Sequence, residues 1–73
     1  MYIFKTDKYL ELLNGKTADW LAKELGYTAT TMSLIFNARK SVKKALAIAI
    51  VKTLNDKYEV EDFFDYIEGE NSP

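Results

Sequence analysis

Apolar positions recur along this chain at helical spacing, and short polar punctuation divides them into five helical runs. The first is predicted over about Asp7–Asn14, with Thr6 or Asp7 as cap, Leu10 and Leu13 on one face, and Gly15 as the stop. A second begins at the cap Thr17 and runs to Leu25, where Gly26 suits the left-handed turn after a helix. The third starts from cap Thr28 and ends near Asn37. Ser41 is the expected cap of a fourth, Val42 to about Asn55, whose stretch ALAIAIV is apolar on nearly every side. Such a helix is expected at the centre of the core. The fifth, about Val60–Glu68, sets Phe63, Phe64 and Ile67 on an apolar face and stops at Gly69. Met1–Lys5 reads as a short strand or an arm that lays Tyr2, Ile3 or Phe4 on the bundle. The expectation is an all-α domain over residues 1–69, with a loose tail over 70–73.

Composition narrows the chemistry. A chain of 73 residues makes one small domain, whose core supplies only roughly 3–5 kcal/mol of net stability. It holds no cysteine and no histidine, so neither a disulfide framework nor a zinc site is expected, and no cofactor. A serine or threonine nucleophile would lack its usual base, which argues against an enzyme and against a small-molecule substrate. MYIFK is too short for a signal peptide and Ala45–Val51 too short to span a bilayer. A soluble, cytoplasmic domain with no membrane partner is the expectation.

The net charge of −1 hides an asymmetry. All ten basic residues lie at or before Lys57. From Tyr58 onward the chain carries Glu59, Glu61, Asp62, Asp65, Glu68 and Glu70 with no base among them. A positive body with a negative tail fits a nucleic-acid contact on one side, or simply a solvated surface.

Helices two and three are joined by little more than Gly26–Tyr27, too short for them to lie antiparallel, so they are expected to cross steeply. Leu21 and Leu25 share a face, Ala22 is small enough for close approach, and Tyr27, Met32 and Ile35 supply apolar contacts of the turn and third helix. This spacing over about residues 17–37 resembles the helix-turn-helix of phage Cro/CI-type, lambda-repressor-like regulators. The resemblance extends over about Thr6–Glu68, since KALAIAIVKTLNDKYEVEDFF looks like that family's fourth and fifth helices. In length and general likeness the chain also resembles the modulator-of-repression antirepressors of temperate lactococcal phages. The resemblance implies a five-helix fold and a place in the cytoplasm of a bacterial host.

The third helix is short of groups that read DNA. With Met32 and Ile35 facing the core, 100° per residue sets Thr30 and Asn37 farthest from it and Ser33 and Leu34 on the shoulders. Ala29, Thr31, Phe36 and Ala38 sit nearer the boundary. Family members that read operators often carry long polar side chains at the outer positions, and here only Asn37 answers to that. The glutamines often found at the starts of the family's second and third helices are replaced by Ala18 and by Thr28-Ala29. Ala29, Leu34, Phe36 and Ala38 instead make an apolar strip, with Phe36 alternatively an edge-of-core residue packing toward helix four.

Arg39, Lys40, Lys43 and Lys44 crowd the next turn, a region that in this family resembles a phosphate clamp. The leading expectation is therefore an antirepressor whose protein partner is the DNA-binding domain of a CI-type repressor. It would dock through Ala29, Thr30, Ser33, Leu34, Phe36, Asn37 and Ala38. The alternative is a Cro-like operator binder, with Thr30, Thr31, Ser33 and Asn37 toward bases and Arg39, Lys40, Lys43 and Lys44 on phosphates. DNA binding by the antirepressor alone would be weak or non-specific. A third possibility is an antitoxin-like partner of another cytoplasmic protein.

Overall fold

Two threonines decide where the middle of the chain turns helical. In the computed structural model, which describes residues 1–67, the Thr17 hydroxyl accepts the Trp20 amide at 3.0 Å. The Thr28 hydroxyl accepts the Thr31 amide at 3.1 Å. Each satisfies an otherwise orphaned amide of a helix start, worth about 1 kcal/mol. The predicted caps thus open the helices Ala18–Leu25 and Ala29–Phe36. Gly26 ends the first of these at φ 80°, and the Tyr27 amide folds back to the Ala22 carbonyl at 2.8 Å.

Numbered in chain order, the elements are β1 (Tyr2–Phe4), a 3-10 turn (Thr6–Lys8) leading into α1 (Tyr9–Leu13), α2 (Ala18–Leu25), α3 (Ala29–Phe36), α4 (Lys44–Leu54), α5 (Val60–Phe63) and β2 (Phe64–Tyr66). The described residues form a small helical domain with a short two-stranded sheet: β1 matches the strand read at Met1–Lys5, and β2 corrects the all-α expectation at the C-terminal end. β1 runs antiparallel to β2, with Tyr2 opposite Tyr66, Ile3 opposite Asp65 and Phe4 opposite Phe64. Alternation along β1 buries Tyr2 and Phe4 and leaves Ile3 half-exposed.

The other edge of β1 changes the start of the fourth helix. Tyr2 and Val42 exchange backbone hydrogen bonds at 2.7 and 2.8 Å, which holds Val42 extended and buried. The helix therefore begins at Lys44 rather than Val42, and Ser41 does not cap it. Nor is α4 buried all round. Ala47, Ile50, Val51 and Leu54 make a stripe at helical spacing, while Ala45 and Ile48 are exposed.

The expected fifth helix is one turn long, opened by the Glu59 amide donating to the Asp62 carboxylate at 2.9 Å. At Phe64 the backbone becomes extended, φ −131° and ψ 147°, and joins β1. Adjacent phenylalanines on a continuing helix would point about 100° apart. The switch to strand lets Phe63 and Phe64 both enter the core. Gly69 as a stop and the tail over 70–73 lie outside the described residues.

The first helix also turns a different face inward. Leu10 is 81% exposed, and Leu12 and Leu13 are buried with Tyr9 packed against the core. Tyr9 wins that position by meeting Phe36 edge-on, 5.3 Å between ring centroids. Among the described residues, the core contains no buried polar or charged side chain.

Candidate interaction surface

The outer side of α3 is built by its inner side. Met32, Ile35 and Phe36 are buried, which turns Ala29, Thr30, Ser33 and Leu34 to solvent. Leu34 is 39% exposed, and no residue of Ala29–Phe36 carries a charge. Thr31 is half-buried, its hydroxyl accepting from that of Thr28 at 3.0 Å.

Phe36 corrects the expected strip. It is only 4% exposed. Its ring meets Phe4 of β1 at 5.0 Å as well as Tyr9 of α1, so it is a core residue with little surface left for a partner. The rings that meet it belong to β1 and α1, where the sequence predicts packing toward the fourth helix. Ala38 is corrected too: it lies beyond the helix, half-buried, with φ 59°. Its amide returns to the Ile35 carbonyl at 3.1 Å and the Arg39 amide to the Leu34 carbonyl at 2.9 Å, a helix end that usually takes glycine. Tyr27, expected to fill the turn, is 44% exposed.

Asn37 remains exposed but is already engaged. Its side-chain amide donates to the Ser33 carbonyl at 2.9 Å and lies 3.3 Å from the Ser33 hydroxyl. Reading a base would require breaking these bonds, so the one long polar group on this face is turned back on its own helix.

A cleft of about 450 Å³ separates the starts of α2 and α3 from the 3-10 turn, lined by Thr6, Ala18, Asp19, Ala29, Ser33 and Asn37. Asp19 forms no ion pair among the described residues, and its carboxylate would oppose a phosphate placed there. Among the described residues, no cluster of acidic side chains could hold a metal ion.

Two sets of cations contrast. Lys5 pairs with Asp65 at 3.8 Å and Lys52 with Glu59 at 3.8 Å. Their ammonium groups also donate to the Glu61 carbonyl at 3.0 Å and the Tyr58 carbonyl at 2.8 Å. These lysines fasten the acidic C-terminal region to the body, a role that charge counting along the sequence does not reveal. Arg39, Lys40, Lys43 and Lys44 are exposed and form no ion pair among the described residues. They and the outer face of α3 are contiguous in sequence, joined through the turn at Asn37–Ala38.

No family model, curated protein or solved structure matches the chain. Among the described residues, no helix is long and apolar enough to cross a membrane.

Proposed function

We propose that this chain is a phage-type transcriptional regulator of a lysis–lysogeny switch, acting as an antirepressor in the host cytoplasm. In this reading α2, Gly26–Thr28 and α3 form a lambda-repressor-like helix-turn-helix whose outer helix meets the DNA-binding domain of a CI-type repressor. Support comes from the two threonine caps, the short glycine-bearing connection and the shared core of Leu21, Ala22, Met32 and Ile35. The observation that carries the functional step is the outer face of α3. It is uncharged, exposes Leu34 and has its single long polar neighbour, Asn37, bonded back to Ser33.

The docking face comprises Ala29, Thr30, Ser33, Leu34 and the backbone side of Asn37, with Phe36 withdrawn into the core. Full burial of an exposed leucine contributes roughly 1.5–3 kcal/mol, and Leu34 retains about two-fifths of its exposure, so it brings roughly 1 kcal/mol. That is too little for a stable complex alone. Arg39, Lys40, Lys43 and Lys44 would add steering toward an acidic patch on the repressor.

The same exposed cluster is also what favours the rival, a Cro-like operator binder in which these cations hold phosphates. Titration of the chain into a CI-type repressor bound to labelled operator separates the two. The antirepressor releases free duplex, and alone it binds operator and scrambled DNA similarly, more weakly as salt rises. A thousandfold or greater preference of the isolated chain for one duplex would establish the rival instead.

A further inference from the structure

A second surface lies away from α3. Leu25 and Tyr27, at the end of α2, face Leu46 and Ala49 of α4 across a groove of about 580 Å³, and no residue of Ala29–Phe36 lines it. Lys40 and Lys43 also line it, and among the described residues no carboxylate does. The volume falls within the range of about 300–1,000 Å³ typical of sites that hold ligands. Ser41, also in the lining, makes no backbone hydrogen bond through its N–H or C=O among the described residues. Its neighbour Val42, by contrast, is bonded to β1 on both groups.

We propose that this groove is a second docking site, which takes an extended acidic segment of a partner protein carrying one bulky apolar side chain. The apolar floor accepts the side chain, and Lys40 and Lys43 pair with carboxylates on either side of it. The free backbone groups of Ser41 match a peptide unit, as at any unpaired strand edge. Nucleic acid fits less well, because its backbone offers the rim charge but gives the apolar floor nothing to bury. The groove shares Lys40 and Lys43 with the steering cluster, but its apolar lining does not depend on whether α3 meets a repressor.

The test is fluorescence anisotropy with the full chain and a labelled synthetic peptide of glutamates around a single central leucine. The peptide should bind. Replacing its leucine by serine should weaken binding about tenfold or more. Ala45→Glu, at an exposed lining position of α4, should weaken it similarly while leaving the thermal melt unchanged. Lys40→Gln with Lys43→Gln should reduce affinity and flatten its salt dependence. Absence of binding, equal binding of the leucine and serine peptides, or undiminished binding by a folded Ala45→Glu protein would overturn the proposal. Two further outcomes would reassign the groove. Tenfold tighter peptide binding by the full chain bearing Glu68→Gln and Glu70→Gln would give it to the chain's own acidic C-terminal residues. Self-association in sedimentation, abolished by Ala45→Glu, would give it to a second copy.

Discussion

α2 and α3 share a length of eight residues, a threonine cap and a left-handed residue after the end, yet their outward sides differ in kind. α2 turns Asp19, Lys23 and Glu24 to solvent, as a solvated helix face does. α3 turns out Ala29, Thr30, Ser33 and Leu34. The shared features are what a two-helix unit needs in order to fold. Nothing in the packing requires α3 to lack charge, because residues facing water do not decide the core. On the proposed reading the difference belongs to what α3 touches.

The largest effect expected separates the inner side of α3 from its outer side. Ile35 is fully buried, and among the described residues the core holds no buried polar or charged side chain, so Ile35→Asp leaves a charge without a partner. The cost exceeds the roughly 3–5 kcal/mol available to a domain of this size. Circular dichroism should show no cooperative melt, whereas a normal melt would mean that the inner face is wrongly assigned. Phe36→Ala comes next, at about 3–5 kcal/mol, because it removes a ring held between Phe4 and Tyr9. Were Phe36 part of a docking face, its truncation would spare the melt and weaken only a complex.

A smaller change sharpens the comparison of helix ends. α2 ends on Gly26, but α3 ends on Ala38 at φ 59°, where a Cβ is strained by roughly 1–2 kcal/mol. Glycine loses part of that gain through its greater freedom in the unfolded chain. Ala38→Gly should stabilise by about 0.5–1 kcal/mol, raising the melting temperature by roughly 2–8 °C. A lowered melting temperature would contradict a left-handed turn at this position.

The parts legible in the sequence are those decided locally. Thr17, Thr28 and Gly26 act within one turn of themselves, so α2 and α3 have nearly their predicted bounds. The ends were less legible, Met1–Lys5 as a strand or an arm and Phe64–Tyr66 not as a strand at all, because they are decided at a distance. β1 and β2 are three residues each, too short for alternation to declare itself, and each exists through pairing with a segment some sixty residues away. The same pairing ends α5 at Phe63, and the bridge to Tyr2 delays α4 to Lys44. Within the candidate surface, the helical wheel ranked Thr30, Ser33 and Leu34 correctly as outward. It left Phe36 on the boundary because Phe4 and Tyr9, which cover it, come from other elements. Ala38 carried no glycine to announce a left-handed turn. The engagement of Asn37 with Ser33 depends on a rotamer that spacing does not specify.

The smallest change in fold stability belongs to Leu34→Asp, within about 0.5 kcal/mol, since the side chain already meets water. That makes it the most direct probe of the central claim, that the outer face of α3 docks on a repressor. The measurement is calorimetric titration of this variant against the purified DNA-binding domain of a lactococcal-phage CI-type repressor, with melts recorded alongside. The expected result is an intact melt and an affinity lowered by at least about 2 kcal/mol, some thirtyfold, from a charge driven into an apolar contact. Lys43→Ala with Lys44→Ala should cost less than about tenfold, mainly through association rate and salt dependence. Unchanged affinity for the repressor domain in a folded Leu34→Asp protein would contradict the docking face.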